Sequence, residues 1–141
     1  MSPAKARFLL DTSALLTLLE DEAGADRVEH VLKQAPTLIC AVSLIEVRYI
    51  TLQERTEAEA DVRHALLKRS GVTILWELDE LIVLKAAGLK AAHSISMADA
   101  VIAASAHRHG AVLLHKDPEF DALPDSIKQE HLPYKATWKA R

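Results

Sequence analysis

Short apolar runs alternate with longer amphipathic segments along this chain, and the alternation sets out its elements. Residues 7–10, RFLL, read as a first strand that stops at Asp11. Residues 12–22, TSALLTLLEDE, follow with Leu15, Leu18 and Leu19 at helical spacing. Gly24 interrupts, and residues 25–34 resume a helix with Val28, Val31 and Leu32 on one side, up to Pro36. Residues 37–42, TLICAV, predict a second strand, after which Ser43 is placed to cap a third helix over 44–55. A fourth helix is predicted over 57–69, then a third strand over 72–78, VTILWEL. A fifth helix runs from 79 to about His93, and a sixth over 96–109 ends at Gly110. Residues 111–115, AVLLH, give a fourth strand, and 127–132, IKQEHL, a weaker fifth.

Strands that are apolar throughout and separated by helices point to an α/β fold with a parallel sheet covered on both faces. In such folds the crevice lies at the carboxyl ends of the strands, where the strand order switches. The 141 residues suit one domain, with a core over about 7–132 and a tail over 133–141. No linker or repeat divides them.

Composition narrows the chemistry. The single cysteine, Cys40, excludes an internal disulfide and reads as a buried apolar residue. No apolar run approaches a membrane span, and the N-terminal one is too short for a secretory signal, so the expected location is the cytoplasm, with no membrane partner. A net charge of −3 argues against nucleic-acid binding by bulk positive charge. It leaves room for bound metal with a local basic patch, such as Lys135, Lys139 and Arg141 in the tail. His107 and His109 are two apart on a helix and share no face, so the seven histidines suggest no zinc site.

Four acids stand at element ends. Asp11 follows the first strand, Glu46 falls in the first turn of the third helix, Asp99 in the first turn of the sixth, and Asp117 after the fourth strand. Each has a local explanation. Asp11 can cap a helix, Ser96 and Asp99 form a capping box, and Asp117 with Pro118 is a helix start. Glu46 lies among apolar neighbours and must be exposed, paired or bound to a cation. Together the four make a stronger reading. Carboxylates converging in one crevice repel, and protons or a hard divalent cation must relieve them. On this reading Thr12 or Ser13 takes the cap while Asp11 faces the crevice.

The segments LLDTSALL, SLIEVRY, SMADAVIAASA and VLLHKDPEFDAL resemble, in order, the four acidic motifs of the PIN-domain nucleases, and most of all the small VapC-type toxins. The resemblance runs from Phe8 to about Leu123. It implies a three-layer α/β/α sandwich with a parallel sheet in the order 3-2-1-4-5. It implies an endoribonuclease dependent on Mg²⁺ or Mn²⁺, a homodimer, and inhibition by a small antitoxin. Asp11, Glu46, Asp99 and Asp117 match the family's acids as catalytic residues and metal ligands, and Ser13 its hydroxyl residue, with Thr12 beside it. Lys116 and Arg48 are candidates for the substrate phosphate, although Arg48 could pair with Glu46. Glu119 could supplement Asp117. His115 departs from the pattern, standing where these proteins often carry Thr and removing a hydroxyl that could orient a carboxylate or water. The competing reading is a catalytically silent PIN-like binding module.

Overall fold

The computed structural model describes residues 5–135. The tail residues Lys139 and Arg141 therefore lie outside the described part, while Lys135 lies within it. Five short strands, β1 (Phe8–Leu10), β2 (Thr37–Cys40), β3 (Thr73–Leu75), β4 (Val112–His115) and β5 (Gln129–His131), form one sheet. Its order is β3-β2-β1-β4-β5, and every pairing is parallel. The chain builds outward from β1 to β3, then returns to the other side of β1, so the order switches between β1 and β4. Leu10 stands in register with Leu114 there.

Six helices cover the sheet: α1 (Thr12–Leu19), α2 (Ala25–Gln34), α3 (Ala41–Glu54), α4 (Glu57–Arg69), α5 (Glu80–Ala92) and α6 (Met97–Arg108). Successive strand residues point to opposite faces. Phe8, Leu10, Ile39 and Leu114 pack with Leu15, Val28 and Val31 of α1 and α2 and with Leu44 and Val47 of α3. Leu9, Leu38 and Leu113 pack with Ile82, Leu89, Ile102 and Ala103 of α5 and α6. The result is the expected three-layer sandwich.

Local chemistry sets most helix starts. Thr56, Asp79 and Ser96 each accept a backbone N–H of the first turn with the side chain, for α4, α5 and α6. Gly24 opens α2 at a φ of +103°, and a Cβ there would meet Leu132 at 3.1 Å.

Several boundaries differ from the sequence pattern. The helix expected through Glu22 stops at Leu19, because Asp21 turns the chain at a φ of +51°. The second strand ends at Cys40, and α3 begins at Ala41. Ser43 is therefore not the cap: it is buried inside the first turn, 3.1 Å from the Thr12 hydroxyl. The third strand keeps only Thr73–Leu75, since the chain leaves the sheet at Trp76, which is 62% exposed. The fifth is an edge strand of three residues.

Candidate metal centre

The first acid is set by the end of β1. The Asp11 backbone N–H donates to the Leu114 carbonyl at 3.1 Å, which extends the β1–β4 ladder one residue past the strand. Its side chain caps α1, accepting from the Ala14 N–H at 2.8 Å. The Ser13 hydroxyl donates to the same carboxylate, 2.7 and 2.8 Å from its two oxygens. The cap thus belongs to Asp11, and neither Thr12 nor Ser13 takes it. Extended backbone at Asp11 carries it onto the Leu9 face of the sheet, the side covered by α6.

Glu46 lies in the second turn of α3, one turn later than expected, because the helix starts early. The Thr12 hydroxyl donates to Glu46 Oε1 at 2.6 Å. The two consecutive hydroxyls after Asp11 therefore serve two different acids. Ser96 caps α6 through the Asp99 N–H at 3.1 Å, as the capping box predicts. Asp117 accepts the Glu119 N–H at 2.9 Å and starts a 3-10 turn over Pro118–Ala122.

Carboxylate oxygens of Asp99, Asp117 and Glu119 lie within 4.8 Å of one another. Asp99 and Asp117 are half-buried and Glu119 exposed. Glu119, expected only as a supplement, belongs to the tightest part of the cluster. Asp11 and Glu46 lie outside that tight group but within its field. Burial, countered by the Ser13 and Ala14 hydrogen bonds and reinforced by Asp99, raises the Asp11 pKa to about 7. Burial and the Asp117 charge, with smaller pushes from Glu46 and Glu119, raise Asp99 to about 6 against the Ser96 hydrogen bond. Asp99 is thus the common neighbour, acting on Asp11 on one side and feeling Asp117, Glu46 and Glu119 on the other.

The two candidate phosphate contacts have other partners. The Lys116 side chain is 5% exposed, and its ammonium donates to the Ala23 carbonyl at 2.7 Å, with Glu22 3.9 Å away. It pins the α1–α2 turn rather than standing free over the crevice. Arg48 pairs with Asp61 of α4 at 2.9 Å, and not with Glu46.

The PIN domain family model matches residues 8–125 of the chain. The chain belongs to the PIN domain family. No curated protein matches it in a sequence comparison. Solved structures match its PIN fold closely. VapBC2 from Rickettsia felis, bound to a DNA fragment from its promoter, has a TM-score of 0.75 at 15% identity, over 90% of this chain and 99% of the other. VapBC-1 from nontypeable Haemophilus influenzae gives 0.70 at 22%, over 89% and 97%. The sarcin-ricin-loop-cleaving toxin VapC20 of Mycobacterium tuberculosis gives 0.66 at 16%, over 82% and 93%.

The PIN-domain acids fit a hard divalent cation by their chemistry. They offer oxygen donors only, they are held together against mutual repulsion, and two of them bind protons unusually tightly where no cation compensates. The sequence did not mark Gln129, which bonds to His115 behind Asp117. It sits in an edge strand with nothing in its surroundings to mark it, and only the fold brings it to His115.

Proposed function

We propose that this PIN protein is a divalent-metal-dependent endoribonuclease, the toxin of a toxin–antitoxin pair. The observation that carries this reading is the convergence of Asp99, Asp117 and Glu119 within 4.8 Å, beside buried Asp11. Asp11, Glu46, Asp99 and Asp117 are the proposed catalytic acids and ligands, with Glu119 added to them. These acids would hold a Mg²⁺ or Mn²⁺ ion, whose Lewis acidity would serve to activate water and to polarise a phosphate. The chain's own residues do the positioning. The Ser13 hydroxyl donates to the Asp11 carboxylate and the Ala14 N–H to its Oδ1, Thr12 holds Glu46, and the β1–β4 ladder forms the crevice floor.

The partner reading draws support from the VapBC complexes that share the fold. We assign a small antitoxin as partner and a second copy of the chain as dimer mate. Exposed apolar side chains on two helices, Ile45 and Tyr49 of α3 and Leu81 and Leu84 of α5, favour burial in such assemblies. No helix among the described residues is long and apolar enough to cross a membrane; the cytoplasm is the proposed site of action.

The test is incubation of cellular RNA with wild type, Asp11→Asn and Asp99→Asn, with Mg²⁺, Mn²⁺ or chelator. Cleavage by wild type with metal alone is expected, and sequencing of the cut ends identifies the RNA. Cleavage that persists in chelator, or in both variants, overturns the proposal. Absence of cleavage with tight partner binding would favour the silent module.

A further inference from the structure

The Asp117 backbone N–H donates to Nδ1 of His115, 3.1 Å away. A backbone N–H can only donate, so Nδ1 carries no proton and the neutral ring holds its proton on Nε2. Nε2 lies 2.8 Å from Oε1 of Gln129 and donates to it. The Gln129 amide is then fixed with its NH₂ toward the Phe120 carbonyl, at 2.9 Å. Every direction in this chain follows from the first link, so neither the tautomer nor the amide orientation is free. The chain begins at Asp117 and ends at Phe120. It therefore brackets the turn that carries Asp117 and Glu119.

Packing holds the chain in place. His115 is 1% exposed, and its ring centroid lies 4.8 Å from that of Phe120. Gln129 is held by its place in β5, in register with Leu113. The two carboxylates of this turn stand beside Asp99 and repel it, so something other than their mutual interaction must keep the turn closed.

We infer that His115 and Gln129 are positioning residues for the Asp117–Glu119 half of the metal centre. The imidazole supplies an acceptor for the turn at the position where the family often has a hydroxyl. The inference rests on the reading of the acids as a divalent-cation site.

The test uses two variants that remove the ring but keep different ends of it. His115→Asn presents an amide oxygen near the place of Nδ1 and keeps the acceptor for Asp117. His115→Gln reaches toward Gln129 and leaves the Asp117 N–H without a partner. Mn²⁺ affinity is read by electron paramagnetic resonance, and unfolding temperature in chelator. Both variants are expected to lower the metal-free unfolding temperature alike. His115→Asn should bind Mn²⁺ within about three-fold of wild type, and His115→Gln about ten-fold or more weaker, the scale expected for a partner behind a ligand. Gln129→Leu should fall between them. Equal Mn²⁺ affinity in His115→Gln and wild type would show that the ring is merely core filling and overturn the inference. The ring is also read without metal, by nitrogen-15 NMR of its tautomer. A proton found on Nδ1 overturns the chain itself. A proton on Nε2 in a wild-type protein that binds no Mn²⁺ would instead sink the metal reading, and the positioning role with it.

Discussion

The hydroxyl of Ser13 accepts a hydrogen bond from the backbone N–H of Lys116 at 2.8 Å. It thereby ties the first turn of α1 to the residue that follows β4. Its own proton goes to the Asp11 carboxylate. One hydroxyl thus fixes the first acid and closes the two central strands at their carboxyl ends.

Ser13→Ala removes both links. The Lys116 N–H loses its acceptor at a half-buried place, and Asp11 loses a donor that stabilises its charge. Denaturant unfolding should show a loss of about 1–3 kcal/mol. The pH at which Mn²⁺ begins to bind should move upward, because Asp11 then holds its proton more tightly. A stability loss with no movement of that pH would mean that Ser13 serves the strand junction alone.

Asp11 links folding to pH. Its pKa of about 7 in the fold lies above the unfolded value near 4. The stabilisation is therefore full below about pH 4 and is lost as pH rises through about 7. At about 1.4 kcal/mol per pH unit, the loss is on the order of 4 kcal/mol. Asp99, raised to about 6, acts in the same direction. The metal-free unfolding temperature should fall between about pH 4 and pH 7. Asp11→Asn should flatten that fall and raise stability at the upper end, since an Asn oxygen still accepts the Ala14 N–H. A large loss at high pH in this variant would show that the charged cap outweighs the burial of its charge.

Divalent ions should stabilise the fold in the opposite pH sense. At a hundred times the dissociation constant the gain is about 2.7 kcal/mol. Thermal melts with Mn²⁺ should shift upward most at high pH, where the acids are bare, and chelator should reverse the shift. Asp99→Asn should lose most of it. A shift that survives in Asp99→Asn would place the ion elsewhere.

The Arg63 guanidinium is buried between helices, donating to Thr51 at 3.0 Å and to Glu20 at 3.4 Å. Arg55 also approaches Glu20, at 3.7 Å. Arg63→Met leaves the Thr51 hydroxyl with its bond to the Val47 carbonyl and leaves Glu20 partly solvated. Unfolding should show a loss of about 1–3 kcal/mol, with Mn²⁺ affinity unchanged. A weakened Mn²⁺ affinity would mean that the α1–α4 junction sets the site.

Leu84 on α5 is 62% exposed in the single chain. Leu84→Glu should shift the protein toward monomer in sedimentation while leaving its unfolding temperature at low concentration unchanged. A variant that sediments as wild type would count against the proposed dimer interface on this helix face.

Apolar runs, helical periodicity and Gly and Pro breakers together located the five strands and six α-helices among the described residues, and α2 and α4 match end to end. Each buries an apolar stripe that a one-dimensional pattern records. Of the four proposed acids, Asp11, Asp99 and Asp117 drew notice because each stands where a pattern changes, and Glu46 because its neighbours are apolar. Glu119 was undervalued because an acid in the first turn of a helix is ordinary. Its meaning depends on Asp99, twenty residues earlier in the chain.

The sequence by itself determined the alternation of strands and helices, the cap at Ser96, and the types of side chain available to a cation. The tertiary structure decided which partner each polar group took. Thr12 went to Glu46, Lys116 to Ala23, Arg48 to Asp61, and His115 to Gln129. Burial and capping follow local spacing, but a hydrogen bond between distant residues depends on strand order and register. Those are fixed only when the whole sheet packs.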